Sequence, residues 1–206
     1  MTQTRVALLL LVIVASAVGL TVYSIVSRGV SARDEPSRVE ALLARTMRSW
    51  ATPAAVRALT NPVPASGEVI QEALQHYADH CAVCHGSDGA GNTAIGRGLY
   101  PKAPDMRAQT TQSLTDGELF AIIENGIRLT GMPAWGTGTP EGEQDSWGLV
   151  HFIRRLPTLS DEEIERVEAL GPKTPAQLQE AEETRRFLSG ESDAPAAVSP
   201  HGGHEE

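Results

Sequence analysis

Two cysteines, the only ones in 206 residues, stand three positions apart and lead directly into a histidine: Cys81-Ala82-Val83-Cys84-His85-Gly86. A pair with this spacing closes a redox disulfide, supplies half of a zinc site, or is taken up covalently by a cofactor. Each outcome demands a different scaffold. A thioredoxin-like disulfide follows a strand in a β/α pattern, and no sustained alternation of apolar and polar residues surrounds these cysteines. A structural zinc ion takes four protein ligands, and there is neither a second cysteine pair nor a suitably spaced histidine pair nearby. Those two readings each leave a requirement unmet. C-x-x-C-H is also the attachment sequence of a c-type haem, in which both thiols add to the vinyl groups and the adjacent histidine comes under the iron.

Haem attachment of this kind requires export, and the N-terminus supplies a route. Val6 to Val26 is a run without a charged residue, long enough at helical rise to cross a hydrocarbon layer of roughly 30 Å. A signal peptide competes, with Val30-Ser31-Ala32 as a small-residue cleavage site. The run, however, exceeds the roughly 7–15 residues of a signal's apolar segment, which favours a retained anchor over residues 6–26 with residues 1–5 inside. Arg5 precedes the run and Arg28 and Arg33 follow it, so charge orients it only weakly. Both readings export the remainder: a bacterial inner-membrane protein facing the periplasm, or a secreted periplasmic one.

Charge separates the segments. Residues 1–66 carry seven basic and three acidic residues, residues 67–157 six and eleven, and residues 158–206 four and twelve. An acidic outer body argues against nucleic acid and against an anionic membrane surface as its partner, and is compatible with a basic docking face on a redox partner.

Periodicity divides the chain further. Val39, Leu42, Leu43, Met47 and Trp50 recur at helical spacing after Ser37, a capping residue. A short segment at Ala54–Leu59 stops at Asn61-Pro62-Val63-Pro64, so residues 27–66 read as a helical arm and spacer. Val69, Ile70, Ala73, Leu74 and Tyr77 form a stripe running into the cysteines. A Gly- and Pro-rich loop from Gly86 to Asp105 follows. Thr115-Asp116-Gly117-Glu118 predicts a capping box and a helix ending at Asn125-Gly126. A further helix covers Gly142 to Leu156. Ser160-Asp161-Glu162-Glu163 is a second capping box, and Thr174-Pro175 opens another helix. These last two helices are highly charged, and their pattern fits both a packed lid and a free extension (158–190). Residues 191–206, with His201 and His204 in a polar tail that could bind metal only weakly, read as disordered. The expected fold class is all-α.

An N-terminal helix entering CAVCHG, a Gly/Pro-rich loop, Gly131-Met132-Pro133 and a closing helix together resemble the class I cytochromes c, over about residues 67–157 and less than half of the chain. The resemblance implies one covalently attached haem c, bound by Cys81 and Cys84, with His85 and Met132 as the axial iron ligands. A His/Met pair raises the potential and favours electron transfer over ligand activation. Met106 is the competing thioether and reads otherwise as packing. Pro104 resembles the proline whose carbonyl accepts the proximal imidazole N–H, with Pro101 as a substitute. Tyr77 matches the aromatic of the first helix, with Phe152 and Trp147 as its reciprocal contacts. Ala73 departs from the family, whose members often carry glycine there for close helix crossing. Trp135 either covers a haem edge or fills the core, since aromatic side chains do both. Arg97, Lys102 and Arg128 are candidates to meet the haem propionates, and His76, His80 and His151 read as surface or capping residues.

The function implied is a membrane-anchored electron carrier with redox protein partners, no nucleic acid and no small-molecule substrate. Alternatives are a dedicated haem subunit of a membrane oxidase, reductase or dehydrogenase, and a haem-based gas or redox sensor.

Overall fold

The structure, a computed structural model, describes residues 3–29, 31–173 and 175–189, all of them helical or irregular and none in a strand. The chain divides into two compact units, with the boundary between Gly171 and Pro172.

The first unit opens with α1 (Gln3–Arg28). Within residues 3–27 an 18-residue stretch has a mean hydropathy of 2.6 and no burial, which is compatible with a membrane anchor and with a signal sequence. Next come α2 (Arg38–Ala51), capped by Ser37, and the single turn α3 (Ala54–Arg57). The domain proper is built on α4 (Gly67–His76), α8 (Asp116–Asn125) and α9 (Pro140–Arg155), with short turns α5 (Ala82–His85), α6 (Ala94–Gly98) and α7 (Gln109–Gln112) between α4 and α8.

α4 crosses α9, and small residues on both helices set the crossing. Ala73 is buried on α4, and a methyl added to Gly148 of α9 would lie 3.6 Å from the Ala73 Cβ. The departure at Ala73 is thus met by a glycine on the last helix. Tyr77, Leu74, Leu149, Val150 and Phe152 are almost wholly withdrawn from water at this crossing. The Tyr77 and Phe152 rings meet at 4.9 Å, as expected, whereas Trp147 stacks on Phe120 of α8 with centroids 4.1 Å apart. α9 starts at Pro140, two residues before the sequence expectation, because Thr139 caps it and proline fits the first turn, where no N–H partner is needed.

The second half of the expected arm packs on this domain. The Asn61 side chain donates to the Trp147 carbonyl at 2.8 Å, and the Val63 carbonyl is 2.7 Å from His151 Nε2. α3 lies so close to α8 that a methyl on Gly117 would overlap the Val56 carbonyl oxygen. Gly117→Ala is therefore expected to destabilise the protein by about 1–3 kcal/mol through forced separation of these helices. Guanidinium unfolding of the two proteins measures it; equal midpoints would mean that α3 does not dock.

The charged helices part company. α10 (Asp161–Leu170), with the predicted capping box at Ser160 and Glu163, buries Val167 completely in the core. Arg155 pairs with Glu163 at 2.5 Å. α11 (Pro175–Ser189) belongs to the second unit and carries an Arg185–Glu182 ion pair of 2.7 Å. Residues 191–206, including His201 and His204, lie outside the described residues.

Candidate functional site

The stripe of α4 does not run evenly into the cysteines. From Tyr77 to Cys81 the helix widens into a π-helical turn, leaving Tyr77 and Ala78 fully buried, and then tightens again into α5. Such insertions of one residue recur where a helix must re-aim side chains at a functional position. Here the turn ends at Cys81; Cys84 and His85 follow on α5, and all three are partly buried.

The loop after His85 is tied back onto that cluster. Gly86 ends α5 at φ 81°, a conformation that disfavours any side chain. Its carbonyl accepts from the Tyr77 hydroxyl at 2.8 Å. The Thr93 hydroxyl serves the Val83 and Cys84 carbonyls at 2.9 and 3.2 Å, and the Gly91 N–H donates to the His85 carbonyl at 2.7 Å.

The environment of the three side chains narrows their chemistry. Burial, with a smaller contribution from Cys84, pushes the Cys81 thiol up to about 12, and burial also raises that of Cys84. A reactive redox thiol needs ionisation to be favoured. Among the described residues no three His, Cys, Asp or Glu side chains are grouped so as to hold a metal ion. His85 Nδ1 is buried without a hydrogen bond of full geometry. Burial disfavours the charged imidazole, and the Pro104 carbonyl beside the ring opposes that effect.

Met132 lies on a loop across from α8. Its carbonyl accepts from the Ile127 N–H at 3.0 Å and its N–H donates to the Thr130 hydroxyl at 3.1 Å. Trp135 follows, held by a 3.0 Å bond from its N–H to the Ile123 carbonyl, with its ring 5.0 Å from that of His80. Met106, by contrast, is in the core, only 7% exposed.

The family model described as cytochrome c oxidase, cbb3-type, subunit III matches residues 68–153. The chain carries a c-type cytochrome domain. No curated protein matches it. The family implies haem c, and the cluster suits one. It offers two thiols three residues apart and, next to the second, an imidazole with the Pro104 carbonyl beside the ring, an acceptor able to fix its orientation.

Several cytochrome-domain residues singled out from sequence have other partners. Arg97 bonds Asn92, at 2.7 Å to Oδ1, and Lys102 pairs with Glu35. The His76 and His80 rings meet edge to face at 5.0 Å. Arg107, which sequence reading passed over, links Asp88 and Asp105 at 2.9 Å each and so fastens both ends of the loop after His85. Its spacing carried no recognisable signal, because the pairing spans a loop of irregular conformation.

Tyr77 is expected to act through structure. Tyr77→Phe leaves the Gly86 carbonyl without its donor, at a cost of about 1–2 kcal/mol, while the visible spectrum of the oxidised and reduced protein stays unchanged. A spectral shift on this substitution would give the hydroxyl a direct role at the cofactor.

Proposed function

We propose that this chain is an electron carrier with one haem c that would be attached through Cys81 and Cys84, with His85 and Met132 as the residues that would ligate its iron. The observation that carries the reading is the gathering of both thiols and the imidazole on one turn, inside a domain of c-type cytochrome family. When bound, the haem supplies reversible one-electron exchange at its iron. The residues of the chain do the remainder. The Pro104 carbonyl would orient the imidazole of His85, a partner role that raises ligand basicity; the Met132 thioether would supply the second iron ligand; and Tyr77, Phe152 and Leu149, all buried, exclude water. Trp135 shields the site beside His80. The α1 helix is a retained single-pass anchor, which puts the cytochrome domain on the periplasmic side of a bacterial inner membrane.

Absorption spectra of the purified protein, oxidised and reduced, with and without carbon monoxide, test this reading. A methionine–iron charge-transfer band and a reduced spectrum indifferent to carbon monoxide are expected. Ready carbon monoxide binding would overturn the closed-site assignment and favour a gas sensor.

The description of the matching family as an oxidase subunit III favours a second reading, in which the domain serves a membrane oxidase as a fixed haem subunit. Copurification with a larger enzyme after mild detergent extraction is its expected result; a monodisperse monomer that exchanges electrons with several acceptors counts against it.

A further inference from the structure

The helix α2 has a face that no other described residue covers. Val39, Leu42, Leu43, Met47 and Trp50 are 57 to 82% exposed, and no residue of α2 is buried. At 100° per residue these five side chains fall within an arc of roughly 140°. Arg38, Arg45 and Arg48 lie outside that arc, and Glu40 is the only acidic residue in the helix. In a chain whose outer body is acidic, this one helix is basic and amphipathic.

Its position along the chain limits what can cover the apolar face. α1 ends at Arg28 and α2 starts at Arg38, so the connection, even fully extended, reaches no more than about 36 Å. Where α1 is embedded, α2 is held beside the headgroups, and lipid is then present at very high effective concentration. A helix with large aliphatic residues and a tryptophan on one face and arginines on the other has the composition that lies in the plane of a membrane interface. The arginine stems are long enough to bring their charge to phosphate while following apolar surface.

The helix is also joined to the cytochrome domain. The Tyr100 hydroxyl donates to Glu40 at 2.6 Å, and Lys102 pairs with Glu35 just before the helix. Both partners sit in the loop that leads to Pro104 and hence to the His85 side of the site.

We propose that α2 is a membrane-interface helix, its apolar face seated at the headgroup boundary of a bilayer containing anionic phospholipid. Through Glu40–Tyr100 and Glu35–Lys102 it turns the His85 side of the cytochrome domain toward that surface. The inference rests on the reading of α1 as a retained anchor.

The test is hydrogen exchange, read by mass spectrometry, on the full haem-loaded chain in nanodiscs of phosphatidylcholine and phosphatidylglycerol, one copy per disc. The wild type is compared with the double variant Leu43→Glu, Trp50→Glu and with the conservative pair Leu43→Ile, Trp50→Phe. The α2 amides of the wild type and of the conservative pair are expected to exchange at least about tenfold more slowly than those of the glutamate variant, since a helix held at a bilayer must leave it to open. The α1 amides stay protected in all three. Protected α1 with equally fast α2 exchange in all three overturns the proposal and leaves the anchor standing. Equal protection of α2 in all three also overturns it, because the apolar face is then not the cause. Unprotected or missing α1 peptides remove the anchor itself. Fast α2 exchange in the discs with slow exchange in native membranes would assign the face to a protein partner and overturn the lipid assignment.

Discussion

Replacing Cys81 and Cys84 together by serine is expected to yield a chain from which acid–acetone extracts all haem, whereas the wild type retains its haem through the same treatment. Serine keeps the size and polarity of cysteine but forms no thioether with a vinyl carbon under these conditions, so the substitution removes the covalent link with little change in shape. The two positions lie three residues apart, at the end of the π-helical segment and within α5, and a single replacement should leave one link and an intermediate spectrum. Circular dichroism separates loss of attachment from loss of fold. The helices α8 and α9 hold each other through Phe120–Trp147 stacking and through Arg154, which bonds Asp116 at 2.7 Å and the Gln112 carbonyl at 2.7 Å. Residual helicity is therefore expected even without the cofactor. If the purified wild type carries no haem, and both thiols react with a thiol reagent, the attachment reading is wrong from the outset.

The readability of the sequence differed with the range of the interaction. Both capping boxes, Thr115 with Glu118 and Ser160 with Glu163, were legible because each is a local exchange between a hydroxyl, a carboxylate and backbone N–H groups three residues apart. The stop at Gly126, with φ 63°, was legible for the same reason. The CAVCHG stretch stood out because covalent haem attachment, where it occurs, demands a fixed spacing of three reactive residues. What escaped was set by contacts between distant segments. The π-helical turn at Tyr77–Cys81 does not alter the apolar stripe, so a continuous helix and a widened one look alike in sequence. Docking of α3 depends on Gly117 meeting a carbonyl some sixty residues earlier in the chain, at Val56. The fate of α10 turned on Val167 alone, one buried valine among acidic neighbours, and composition had placed α10 and α11 in one class.

Met132→Ala is expected to lower the reduction potential by a few hundred mV, out of the roughly 0.8 V that axial ligands command, and to let carbon monoxide bind the reduced protein. A thioether is a soft, neutral ligand that favours the ferrous state, so its removal shifts the balance toward the ferric one. The loop should survive the change, because its bonds at this position are made by the Met132 backbone, to Ile127 and to the Thr130 hydroxyl, and not by the side chain. The control is Met106→Leu. Met106 is anchored by its N–H to the Gly89 carbonyl at 2.8 Å and by its carbonyl to Gln112 at 2.7 Å, with its side chain in the core. A swap of similar volume there should cost less than about 1.5 kcal/mol and leave potential and spectrum unaltered. The two substitutions thus separate a ligand from a packing residue of the same type. Should Met106→Leu open the iron to carbon monoxide while Met132→Ala leaves it closed, the ligand assignment is reversed, and the loop of residues 127–136 becomes a cover whose role is to exclude water.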